Sequence, residues 1–137
     1  MIEVANPAGR LVTFRVRAPV DNANASQAGA ELRRTIEKLP GKVIICTDLT
    51  DARTFAPETA ERFVQVMKAD NPRLERSALL LATGSATFTL QLERMLREAN
   101  SPVRRTFHDA AELVEWLRPL LEPAEEAALG LFLHLSG

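Results

Sequence analysis

A chain of 137 residues suits one domain, which at that length buries roughly 68% of the surface its unfolded form exposes, so a core can hold it without staples. Seventeen basic against eighteen acidic residues leave a formal charge of −1, with no electrostatic pull toward nucleic acid or an anionic membrane; fourteen of the seventeen are Arg. The lone Cys46 excludes an intrachain disulfide, and no apolar run approaches the roughly 20 residues of a spanning helix, so a soluble, cytoplasmic protein with no membrane role is expected.

Residues 1–4 read as a short strand ahead of a Pro7-Ala8-Gly9 turn, pairing as a hairpin with residues 11–17. In that second strand Val12, Phe14 and Val16 alternate with Thr13, Arg15 and Arg17, the pattern of a strand with one face in water or at an edge. A first helix follows, with Ala25, Ala28, Leu32, Ile36 and Leu39 on one stripe, Asn24 and Gln27 as a capping box, and Pro40-Gly41 as its stop. Residues 43–46 and 79–82 are continuously apolar and belong at the centre of a parallel sheet, with Ile44, Cys46, Leu79 and Leu81 buried. Between them Ala60, Phe63, Val64 and Met67 mark a helix opened by Pro57 and closed by Asn71-Pro72. Phe88, Leu92, Met95, Leu96 and Ala99 mark the next, ended by Asn100-Ser101-Pro102. Residues 103–107 carry Arg104 and Arg105, charges of the kind that protect a sheet edge. Asp109 with Glu112 caps a helix whose stripe is Ala110, Leu113, Val114, Leu117 and Leu121. This alternation predicts an α/β fold: a mostly parallel sheet of four to five strands, in sequential order, joined by right-handed crossovers. Residues 124–135 form a last apolar helix with Ala124, Ala127, Ala128, Leu131 and Leu135 on one face. It is expected to hide Leu131, Phe132 and Leu135 against its own domain or against a second copy in a homodimer.

Two stretches carry a family resemblance: Val43-Ile44-Ile45-Cys46-Thr47-Asp48-Leu49-Thr50, and Thr106-Phe107-His108-Asp109-Ala110-Ala111-Glu112-Leu113-Val114-Glu115-Trp116-Leu117. Over roughly residues 10–118 the chain resembles the STAS domain of sulfate transporters and anti-sigma-factor antagonists, particularly its STAS-like bacterial relatives. The resemblance implies a (β/α) superhelix, so residues 1–122 are expected to form the STAS-like domain, and the apolar spacing makes 123–137 a helical extension that packs on it or on a second subunit. It also implies a non-enzymatic regulatory or scaffolding module that binds a protein partner. In the antagonists the segment after the second core strand ends in Asp-Ser, and that serine accepts phosphate. Ala56 and Pro57 occupy the matching positions, and proline has no hydroxyl, so no phosphorylation site carries over. Thr54 and Thr59 would present a phosphate to a different set of backbone N–H groups.

The loops at 50–57 and 83–87 leave neighbouring inner strands at the same sheet edge, where α/β proteins place their sites. The candidate binding residues are Asp48, Thr50, Thr54, Phe55, Pro57, Thr83, Gly84, Ser85 and Thr87. Asp48 ends a strand and suits hydrogen bonding to the 50–55 backbone better than metal binding, while Asp51 is expected in solvent. Around Gly84 a tight turn with Ser85 or Thr87 as N-cap is favoured over an anion cradle. His108 and His134 make no relay, and Ser85, His108 and Asp48 lack the context of a triad, so no catalytic residue, metal or cofactor is expected. Arg10, Arg15, Arg17, Arg104 and Arg105 read as solvated edges, with Phe14 and Phe107 facing inward. The alternative function is binding of a small apolar molecule or nucleotide in the same crevice, which a deep pocket lined by Phe55, Phe88 and Ala82 would mark.

Overall fold

The two continuously apolar runs become adjacent strands at the middle of a five-stranded mixed sheet in the computed structural model, which describes residues 1–134. In chain order the elements are β1 (Ile2–Ala8), β2 (Leu11–Arg17), α1 (Asn22–Glu37), β3 (Val43–Asp51), α2 (Pro57–Asp70), β4 (Leu74–Leu81), α3 (Ala86–Ala99), β5 (Arg104–Phe107), α4 (Ala110–Leu117) and α5 (Pro123–Phe132). Strand order is β1-β2-β3-β4-β5; the β1–β2 hairpin is antiparallel and every other pairing is parallel.

Residues 43–46 of β3 and 78–81 of β4 are apolar at every position because helices cover both faces of the sheet there. On one face Val12, Phe14, Val16, Ile45, Leu49, Leu79 and Leu81 meet Leu32 of α1, Phe63 of α2 and Leu92 of α3. On the other, Leu11, Ile44, Cys46, Ala78, Leu80 and Phe107 meet Leu113 and Leu117 of α4 and Leu129 of α5. Each of those last three leucines is wholly buried, worth about 1.5–3 kcal/mol apiece. Helix starts follow local chemistry. Pro57 opens α2, and the Asp109 side chain accepts the N–H groups of Ala111 and Glu112 at 2.8 and 3.4 Å. At α1 the capping box sits three residues before its expected place: Asp21 and Asn24 exchange the two bonds, at 2.8 and 3.2 Å.

Three expectations need correction. β1 runs on to Ala8 with Pro7 inside it, which an edge strand tolerates, and the register shifts between Ala5 and Ala8. β2 is neither an edge nor open to water on one face, because β1 lies outside it, Thr13 is buried, and Phe132 of α5 lies against Arg15. The inward face of α5 is also different: Leu131 is 78% exposed, whereas Leu129 is buried, Phe132 is half-buried, and Leu135 lies outside the described residues. The cause is Glu125, only 3% exposed, whose carboxyl accepts the N–H of its own Glu122 and of Arg10 in the β1–β2 turn, each at 2.7 Å. Those bonds turn residues 125, 129 and 132 toward the sheet.

Candidate functional site

Because β3 and β4 are parallel neighbours, the links that leave them emerge at one edge of the sheet, and the nine candidate residues divide there into two groups. Asp48 and Thr50 are still inside β3, two residues apart, and share one face of the strand. Asp48 Oδ2 accepts Arg15 Nε at 3.0 Å; its Oδ1 accepts the Thr50 N–H at 3.0 Å and the Thr50 hydroxyl at 2.7 Å. Burial works against the charge of Asp48, but the Thr50 bonds and the Arg15 guanidinium outweigh it and hold the carboxyl below its usual range. Its oxygens are therefore committed to structure. Arg15 also donates to the Phe132 carbonyl and stands 4.3 Å from the centre of the Phe132 ring, joining β2, β3 and α5 through one side chain. Asp51 is exposed and 3.8 Å from Arg17, as a surface pair.

The second group lines the sheet edge itself. Phe55 is buried, its ring 4.9 Å from Phe63 and 5.4 Å edge-on from Phe88; Phe55 and Phe63 reach a cavity of about 50 Å³ under the helices, whereas Phe88 and Ala82 do not line it. Gln91 of α3 clamps the Phe55 backbone from both sides, Oε1 accepting its N–H and Nε2 donating to its carbonyl, each at 2.8 Å. Sequence reading missed Gln91; the only signal was a polar residue one turn after Phe88, beside the apolar stripe. Thr54 and Pro57 are exposed, and Ala56 offers α2 no side-chain cap. A groove of about 260 Å³ separates residues 18–20 from residues 52–55.

In the neighbouring link, Gly84 has φ +82 and open space where a Cβ would stand, so backbone conformation alone selects glycine. Ser85 holds the N-cap position of α3, but its hydroxyl donates to the Ala82 carbonyl at 2.7 Å rather than capping the helix. Thr83, Gly84 and Thr87 are exposed, as is Leu90 one turn into α3, at 67%. His108 brings the β5–α4 link to the same edge, its Nδ1 3.3 Å from the Ala82 carbonyl.

Burial pushes the Cys46 thiol far above its usual range, so it is a core residue rather than a nucleophile. Thr59 is 2% exposed and donates to Asn22 Oδ1 at 2.7 Å. Of the arginines read as solvated, Arg15 and Arg104 are not. Arg104 donates to the Met67 carbonyl at 2.7 Å and to Asn71 Oδ1 at 3.1 Å, and burial lowers it to about 10 against the pull of Asp70. Its Nε–H finds no acceptor among the described residues, an arrangement that costs on the order of 1–3 kcal/mol. Burial likewise raises Asp70 to about 6, against Arg104 and Arg33.

Among the described residues no group of three His, Cys, Asp or Glu side chains converges as metal ligands, and no helix is long and apolar enough to cross a membrane. No family model matches the chain, and no curated protein matches it.

Proposed function

We propose that this chain is a non-enzymatic, STAS-like regulatory or scaffolding module that docks a protein partner on the links at 50–57 and 83–87. The sequential strand order, with parallel crossovers over most of its length, supports the STAS part of the reading. For docking, the carrying observation is the two-sided Gln91 clamp on Phe55, which holds one exposed link rigidly against the helix that begins in the other. A surface fixed before binding loses less entropy when a partner arrives. Ala86, Thr87 and Leu90 lie on one face at helical spacing, so exposed Leu90 extends the 83–87 link with an apolar anchor. Regulation by phosphate on the family's serine is not part of this function, since Pro57 and Ala56 stand at its place and the Thr59 hydroxyl is buried.

A photo-crosslinking residue placed singly at Thr54, Thr87 or, as a control, at exposed Glu31 on α1 tests this in cells of the source organism. The same protein adduct from Thr54 and Thr87, absent from Glu31 and lost with Leu90→Asp at unchanged melting temperature, is the expected result. Equal labelling from all three positions would refute the docking surface.

A further inference from the structure

Between the sheet and helices α1–α3 lies a cavity of about 50 Å³, walled mainly by apolar side chains such as Leu79, Leu92 and Met95, with Thr47, Ser77, Asp70 and Arg104 as polar members. A water needs roughly 10–15 Å³ of such space, so there is room for roughly four groups of that size. Arg104 is the lining residue with an unsatisfied buried donor: its Nη2 donates to Met67 and Asn71, and its Nε–H has no acceptor among the described residues. Buried donors are rarely left so, and a guest with one acceptor atom would complete the set. The charges limit that guest. One guanidinium and one carboxyl line the cavity, so an ionised guest would bring in a charge with no counterpart, while a neutral one leaves the pair balanced.

We propose that this cavity is a binding site for a small neutral molecule with an apolar body and a single hydrogen-bond acceptor, of the ketone or alcohol class, its oxygen held by the Arg104 Nε–H. The site lies inside the α1–α3 layer and shares Phe55 with the docking links, but docking is read by crosslinking at the exposed links and this site by the signals of Arg104, Leu79 and Met95, so the two failures are distinguishable.

Acetone and acetate have the same number of non-hydrogen atoms and differ in charge, which makes them the discriminating probes; xenon is an apolar probe with no acceptor. The full chain, labelled with nitrogen-15 and methyl carbon-13, is titrated with each by NMR. Acetone is expected to move the Arg104 Nε–H and the methyl signals of Leu79 and Met95 along one saturating curve, with a dissociation constant on the order of millimolar for so few atoms. Acetate should bind at least about tenfold more weakly, and xenon should move the methyl signals without the Nε–H. Ser77→Val, which fills part of the cavity, should weaken acetone binding; if that variant does not fold, the native titrations decide. Non-saturating acetone shifts, acetate binding as tight as acetone, or unchanged affinity in folded Ser77→Val would each overturn the proposal and leave a cavity that holds water only.

Discussion

The backbone N–H of Arg10 donates to Glu125 Oε2 at 2.7 Å, tying the β1–β2 turn to the first turn of α5 across 115 positions of chain. Gly9 stands beside this bond with φ +46, and a Cβ there would collide with the same Glu125 oxygen. Gly84 is the natural control, being left-handed too but open.

Glu125→Ala should therefore cost about 1–3 kcal/mol in urea unfolding, since it strands two partly buried N–H donors. Gly84→Ala should cost about 1–2 kcal/mol from its backbone conformation alone, and Gly9→Ala distinctly more. In a Glu125→Ala background the excess at Gly9 should disappear; additive costs would mean that the Glu125 contact does not set the turn.

Arg15 and Asp48 form the second tie, with side chains 14% and 13% exposed. Arg15→Met leaves the Asp48 carboxylate largely buried without its cation and also removes the contacts to Phe132. A loss of about 2–4 kcal/mol at pH 7 is expected. Because the folded Asp48 titrates below its unfolded value, its contribution is present above about pH 4 and disappears as pH falls through the folded value. The stability gap between native protein and Asp48→Asn should accordingly close below about pH 4; a gap constant down to pH 2 would show that the ionised carboxylate is not what matters.

The parts of this fold legible in the sequence are those where one local pattern has one physical reading. Residues 43–46 and 79–81 are apolar at every position because both strand faces are covered, and Pro57 and Asp109 mark helix starts by their own chemistry. Where a polar residue is buried by a distant partner, the pattern misleads. The Thr13, Arg15 and Arg17 face reads as solvent-facing, yet Phe132 from the far end of the chain stacks on Arg15. Glu125 reads as the outer face of its helix, and its two backbone bonds turn that face inward and put Leu131 out. The candidate site was half legible for the same reason: strand adjacency followed from the pattern, whereas the side of the sheet taken by Asp48 and the clamp by Gln91 depend on tertiary contacts.

Asp70 should give the protein a pH dependence opposite in sign to that of Asp48. Burial raises its folded value to about 6, against the opposing charges of Arg104 and Arg33, from an unfolded value of about 3.9. Between those values the folded state holds the extra proton, so stability falls as pH rises from about 4 to about 6 and then levels off, by about 2–3 kcal/mol in all. Asp70→Asn should flatten that step, read as the difference in unfolding free energy between variant and native protein across pH 4 to 8. A difference that does not change over this range would place the Asp70 carboxyl at an ordinary value.

Two neighbouring leucines of α5 test how the last helix sits. Leu129 is wholly buried against Leu11, Ile44 and the α4 leucines, so Leu129→Ala removes methyl groups from a closed layer and should cost about 2–5 kcal/mol. Leu131, two residues on and 78% exposed, should accept Ser within about 0.5 kcal/mol. Amphipathic spacing taken alone put Leu131 on the buried face, and the bonds from Glu125 reverse that choice. Chemical unfolding of both variants at one low protein concentration separates the two orientations, with light scattering to keep self-association out of the comparison. A large loss at Leu131 with a small one at Leu129 would mean that α5 packs through its other face.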